Sequence, residues 1–278
     1  VHVIVHQAGG LKGAFGAPIL TALVEQRKPD YIFGASVGAL NGVLVACGRS
    51  ALLKEQYMAI DDINYLDGIT GLFTPAFFNG KGLLSTAPIR KKIERFTSLN
   101  ELSIPFGCGA VARENKEHVM FLSENMKSDT ELYDAVQASI SIAFLFEPVK
   151  FRHEGKMRTW SDAGHKHSIP RIPDDIVRKI TEIDVILCNP IRPDEDEMTK
   201  VDGLAASLSW ILDMDTVAIQ AADMRTYMRY ARGGIDVRVY APPEGFGSTF
   251  QADKKSIRRR WKMGEDMIGH PINLKDFI

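Results

Sequence analysis

The chain carries no surplus of either charge. Its 34 Lys and Arg stand against 35 Asp and Glu, a formal net charge of −1 over 278 residues. No global basic field is therefore present to draw in nucleic acid. Cysteine is scarce: Cys47, Cys108 and Cys188 are odd in number, far apart and without metal-ligand spacing. They read as reduced core thiols of an intracellular protein, not as a disulfide framework or a zinc site. No Asn-x-Ser/Thr sequon occurs. No apolar stretch reaches the length of a membrane span, and residues 1–5 read as a strand rather than a signal peptide. Repeats, low-complexity tracts and linkers are missing as well. The expectation is one domain over 1–278, cytoplasmic, with any membrane contact peripheral.

What is present is ordinary globular material, 45% hydrophobic and 25% charged, in a chain long enough to bury a sizeable core. Val1–His6 is a β-branched strand, followed by the glycine-rich turn Gly9-Gly10-Leu11-Lys12-Gly13. Ala14–Gln26 has helical apolar spacing, Tyr31–Phe33 is a second strand, and Val37–Cys47 is a small apolar helix. This β-α-β-α opening implies a parallel sheet with helices on its faces. Further helices are expected at Ser50–Ile60, from Ser85-Thr86-Ala87-Pro88 to Phe96, and from an Asp129-Thr130 cap to Ser139. Others are read at Asp202–Asp213, Thr216–Arg232 and Asp253–Ile268. Strands are expected at Phe106–Arg113, His118–Ser123, Pro148–His153, Lys156–Ser161, Ile183–Cys188 and Ile235–Tyr240.

Gly34-Ala35-Ser36-Val37-Gly38 is a G-x-S-x-G between an apolar strand and a helix. In that context the serine sits on a sharp turn with its Oγ clear of the backbone. The glycines leave room for the turn and a substrate. The bland alternative is a small-residue turn between packed elements. The Gly9–Gly13 turn is the candidate oxyanion hole, since residues without Cβ let successive N–H groups converge, with Lys12 adding positive charge. A dinucleotide fingerprint is disfavoured, because the spacing departs from G-x-G-x-x-G and no acid ends the second strand.

Asp162, ahead of Ala163-Gly164, stands at a strand end. An ordinary aspartate, with a pKa of about 3.9, is a weak base near neutrality, and burial raises it. Asp162, His165 and His167 are also a conceivable carboxylate-histidine metal set. No second ligand cluster accompanies them, so no metal or other cofactor is expected.

These motifs in this order resemble the patatin-like phospholipase family. The resemblance rests on Gly9–Gly13, on Gly34–Gly38, on the segment Ala138–Val149 with Pro148, and on Asp162-Ala163-Gly164 followed by Pro170. It covers residues 1 to 170 well and the remainder loosely. It implies a three-layer α/β/α sandwich with a mostly parallel central sheet. It also implies a Ser–Asp dyad, Ser36 as nucleophile and Asp162 as base, hydrolysing phospholipid or other acyl esters through an acyl-enzyme. By the same resemblance the N–H groups of Gly9 and Gly10 form the oxyanion hole, with Leu11 close by and counted among its residues. Val37 N–H at the helix start completes it, and Lys12, Gly13, Gly34, Gly38 and Gly164 support the site. Departures from the pattern are Ala8 for a glycine, Lys12 for an arginine, Ala163 for a glycine, and His167-Ser168 where asparagine is common.

Two other functions remain open: an α/β-hydrolase esterase with a Ser-Asp-His triad, and a catalytically degenerate lipid-binding module. Leu72, Phe73, Phe77, Phe78, Leu83 and Leu84 read either as a lid or as a satellite core. Ile140, Ile142, Phe144 and Phe146 read as an acyl groove or as core. The basic run Lys254–Lys262 reads as a contact for anionic headgroups or, more commonly, as a solvated helix face.

Overall fold

A computed structural model describes residues 1–60, 86–143, 145–191, 204–243, 247, 249 and 253–277. The β-branched opening forms β1 (His2–His6), with every residue buried. Tyr31–Gly34 forms β2, Phe106–Ala112 β3, Glu117–Leu122 β4, Val149–His153 β5 and Lys156–Asp162 β6. Glu182–Ile186 forms β7, Asp236–Tyr240 β8 and Ile272–Asn273 β9. They make one nine-stranded sheet in the order β5-β6-β3-β2-β1-β7-β8-β9, with β4 paired to β3. From β3 to β8 the path is parallel, as the alternation of strands and helices requires. β4, β5, β6 and β9 add antiparallel ladders.

Helices cover both faces. They are α1 (Gly13–Gln26), α2 (Val37–Ala46), α3 (Ser50–Met58), α4 (Ala87–Phe96) and α5 (Asp129–Ile140), then the short α6 (Asp174–Val177), α7 (Leu204–Arg232) and α8 (Lys254–Met267). The two-residue period of a strand divides the core. Ile4, Ile32 and Phe106 pack with α1, α2, α3, α5 and α8, whereas Val3, Val5, Phe33 and Val185 pack with α6 and α7. The architecture is a three-layer α/β/α sandwich with a mostly parallel central sheet.

Three readings of the sequence change. The two helices expected at Asp202–Asp213 and Thr216–Arg232 are one helix, α7, because Met214 and Asp215 carry neither Gly nor Pro to break it. The cap of α5 is Ser128, whose hydroxyl accepts from the Glu131 N–H while the Glu131 carboxylate accepts from the Lys127 N–H. Thr86 starts α4 without a side-chain cap and accepts instead from Gln137 of α5. The segment read as a lid or satellite core, and Phe144, lie outside the described residues.

Candidate active site

β3 works as a ruler for the site. β4 occupies one of its edges from Gly107 to Ala112. The other edge is shared: Gly34 of β2 lies opposite Cys108, and Asp162 of β6 lies opposite Ala110. β2 and β6 thus meet end to end on that edge. Two residues of strand separate their last rungs by about 7 Å. A serine just past Gly34 and a carboxylate at Asp162 must therefore be neighbours.

The serine side is built from backbone. Ser36 has φ 53° and ψ −123°, a left-handed φ that a non-glycine residue adopts at a cost of about 1–3 kcal/mol. Neighbouring backbone enforces it. A Cβ on Gly34 would meet the Gly38 carbonyl oxygen at 2.3 Å, and one on Gly38 would meet the His6 carbonyl oxygen at 2.2 Å. Ala35 N–H donates to the His6 carbonyl, and Ser36 N–H donates to Ser139 Oγ at 3.1 Å. Behind the turn, His6 is fully buried between the Gln7 carbonyl and Asn41, and burial lowers its pKa to about 4. It is a neutral structural imidazole.

The aspartate side is built from longer-range contacts. Asp162 N–H donates to the Ser141 carbonyl at 2.9 Å, and Gly164 N–H donates to Asp162 Oδ1 at 2.6 Å. Oδ2 is buried with no hydrogen-bond partner among the described residues. The Ser36 hydroxyl faces this carboxyl and favours its ionised form without completing a hydrogen bond. Burial outweighs the opposing influences of His165, Ser36 and Gly164, so the pKa is raised above the ordinary Asp range. Ala163 starts a 3₁₀ turn at ordinary negative φ, so the alanine standing for glycine brings no backbone strain. Ala8, Ala35 and Ala163 pack together, one from each of the three loops that meet here.

The glycine loop closes the site. Gly10 has φ 52°, and a Cβ on Gly9 would meet Cys188 Cβ at 2.3 Å. No acceptor for the N–H groups of Gly9, Gly10 or Val37 occurs among the described residues. Val37 opens α2, where the N–H has no intrahelical partner. Leu11 departs from the expectation. Its N–H donates to the Thr249 carbonyl at 3.0 Å and is not open to a substrate. Lys12 also differs, because its buried ammonium binds Asn189 and Asp213, each at 2.8 Å, and its charge is paired beneath the loop. Gly13 lets the start of α1 lie against Val37, where a Cβ would meet Val37 Cγ2 at 2.4 Å.

A cavity of about 40 Å³, room for one or two waters, lies over Ser36 and Asp162. Ala8, Gly9, Gly10, Ile142, Gly164, His165, Thr216 and Thr249 complete its lining. Ile142 faces this cavity, whereas Ile140 is core. The positioning serines Ser139 and Ser141 fall inside the Ala138–Val149 segment, but their chemistry could not be read from it. Thr216 and Thr249 carry no sequence signal at all.

The histidines do not assemble a triad. His165 lines the cavity rim without a hydrogen bond to Ser36 or Asp162 among the described residues, and His167 binds Asp223 at 2.9 Å. No group of three or more His, Cys, Asp or Glu side chains able to hold a metal occurs among the described residues. The cysteines are buried free thiols, and burial pushes Cys188 up to about 12. No helix among the described residues is long and apolar enough to cross a membrane.

Fold and geometry define an α/β protein with a serine on a strained strand-to-helix turn facing a buried carboxylate. The family model "Patatin-like phospholipase" matches residues 4–173, and the chain belongs to that family. The crystal structure of VipD from Legionella pneumophila is similar at 12% identity with a TM-score of 0.45, over 96% of this chain. The chain spans 66% of the length of that structure. Among curated proteins no sequence matches.

Proposed function

We propose that the protein is a serine acylhydrolase acting on phospholipids or related acyl esters through a Ser36–Asp162 dyad. The observation that carries this reading is the strained Ser36 turn held against a buried carboxylate whose Oδ2 has no hydrogen-bond partner among the described residues. Catalytic hydrogen bonds are often incomplete until substrate is bound. Ser36 Oγ attacks the ester carbonyl carbon while Asp162 Oδ2 takes its proton. The carbonyl oxygen becomes an alkoxide facing the N–H groups of Gly9, Gly10 and Val37. Collapse expels the alcohol, which takes the proton back from Asp162 and leaves an acyl-Ser36. Water then gives a proton to Asp162 and attacks the acyl carbon, and the freed Ser36 oxygen recovers that proton as the fatty acid departs.

The raised pKa of Asp162 makes it a better base than an exposed aspartate. Gly164 N–H holds Oδ1, which leaves Oδ2 turned toward the serine. Labelling by a fluorophosphonate, with fatty-acid release from phospholipid followed by mass spectrometry, tests the reading. Wild type is expected to react in both assays and Ser36→Ala in neither, with His165→Gln and His167→Gln active. Full hydrolysis by Ser36→Ala would remove the dyad. Loss of hydrolysis in His165→Gln alone would favour a triad. Phospholipid binding without turnover or labelling would favour a degenerate lipid-binding module.

A further inference from the structure

The net charge of −1 hides an uneven surface. Lys255, Arg258, Arg259 and Lys262 stand at i, i+3, i+4 and i+7 of α8, all exposed, while Ile257, Trp261 and Gly264 are buried on the opposite face. A second exposed set, Lys91, Lys92 and Arg95, lies on α4. α3 lies between these helices. Lys92 reaches Gln56 of α3 at 2.6 Å, and the Tyr57 and Trp261 rings lie 6.0 Å apart.

Both helices begin at the catalytic end of the sandwich. Thr249, which lines the cavity, precedes α8 by five residues, and Gly264 packs further down on the Phe15 carbonyl of α1. α4 runs antiparallel to α5, with Thr86 bound to Gln137 and Arg90 to Asp134. The C-terminal end of α5 holds the Ser36 N–H.

Lys255, Arg258 and Arg259 stand in the N-terminal half of α8, where the helix dipole does not favour cations. Asp253 caps α8 by accepting from the Ser256 N–H at 2.8 Å, and no further acid stands in the first turn of α8 to offset these three cations. Neighbouring cations at helical spacing also repel one another. Toward the C-terminal end of α8, charge is compensated: Lys262 pairs with Asp266 at 2.6 Å and Lys54 with Glu265 at 3.6 Å. Lys255, Arg258 and Arg259 have no ion pair among the described residues. Exposed cations without ion pairs on the half of α8 that follows the cavity residue Thr249 are complementary to a flat anionic surface.

From this we infer that the basic face of α8 docks the protein on an anionic lipid bilayer, with the cavity mouth toward the lipid. The choice of a bilayer as partner rests on the acylhydrolase reading above. Co-sedimentation of the full chain carrying Ser36→Ala tests it. The vesicles are phosphatidylcholine alone or with one-third phosphatidylserine, at low and physiological salt. Binding is expected only to the anionic vesicles, weakening as salt rises. Lys255→Gln/Arg258→Gln/Arg259→Gln should weaken it at least tenfold, and Lys150→Gln/Arg152→Gln/Lys156→Gln on the far sheet edge should not. Equal binding to neutral vesicles, an unaffected α8 variant, or tighter binding to RNA than to anionic vesicles would overturn the inference. The Ser36→Ala background keeps the two readings separable. Loss of vesicle binding with intact fluorophosphonate labelling of wild type sinks the docking surface alone. Binding without labelling or turnover of wild type sinks the catalytic reading alone.

Discussion

Gly34 to Gly38 and Asp162 to Gly164 each hold one reactive group among small residues, but they hold it by different means. Around Ser36 the obstacles are backbone atoms 2.2 and 2.3 Å from where a glycine Cβ would stand. Around Asp162 they are side-chain atoms. A Cβ on Gly164 would meet Asp162 Oδ1 at 3.0 Å and Ala8 Cβ at 3.2 Å. The serine is fixed by a local turn whose strain the surroundings enforce. The aspartate is fixed by hydrogen bonds and by its exclusion from water. One half of the site stores conformational strain and the other stores desolvation, and the two respond differently to mutation and pH.

The largest expected effect comes from removing either reactive group. Ser36→Ala and Asp162→Asn should each lower kcat for a chromogenic acyl ester by about 10⁴-fold or more. Combining them should cost little beyond either alone, because the groups act as a unit. Asp162→Asn keeps an oxygen to accept from Gly164 N–H, so its loss would report basicity rather than loop order. Strictly additive losses would break the comparison at its root.

Next comes the contrast between the glycines. Gly38→Ala drives a Cβ into the His6 carbonyl and should destabilise by about 3 kcal/mol. Gly164→Ala meets only side chains and should cost under about 1 kcal/mol. Urea unfolding of both variants checks this, and equal costs would show that the elbow is softer than its geometry implies.

The serine half was legible in the sequence because its causes lie within five residues. Strand, glycine, serine, glycine and helix follow one another, and the steric demand is local. The parallel sheet around it was legible through the β-α-β-α opening. What could not be read was set by register. Nothing in the sequence says that β6 ends two rungs beyond β2 on the same edge of β3. That offset makes Asp162 a neighbour of Ser36, and the motif resemblance supplied the pairing where periodicity could not. Leu11 failed as an amide donor for the same reason. Its acceptor, the Thr249 carbonyl, comes from more than two hundred residues away. Lys12 likewise found its partners in Asn189 and Asp213.

His6 offers a pH probe of the serine half. Its folded pKa, about 4, lies below the ordinary 6.5 because the ring is buried. The unfolded chain therefore takes up a proton that the folded one refuses. This contribution to stability is complete above about pH 6.5 and is lost as pH falls toward 4, about 3 kcal/mol in full. His118, lowered by burial to about 3, acts in the same direction. The His6 carbonyl carries the Ala35 N–H and lies against Gly38, so acid should loosen the elbow first. Urea unfolding at pH 7 and pH 4 should show a smaller drop for His6→Gln than for wild type. An equal drop would detach His6 from the effect.

The smallest effect separates strain from desolvation most directly. Ser36→Gly should relieve the positive φ and raise stability by about 1 kcal/mol where Asp162 is protonated, and by less where it is ionised, because the carboxylate then loses the Ser36 hydroxyl. Asp162→Asn should also stabilise, but only where the carboxyl is ionised. Its folded pKa is raised, so the folded state keeps the proton to higher pH than the unfolded chain. Wild-type stability therefore falls as pH climbs from the ordinary Asp value, about 3.9, through the raised one. The Asn variant escapes that cost, so its advantage should grow as pH climbs toward the raised value and vanish below about pH 4. Thermal unfolding of both variants from pH 4 to pH 8 would then give one falling and one rising difference from wild type. Two flat differences would mean that Asp162 gains its proton affinity only when substrate excludes water, and that the free site stores strain but little desolvation.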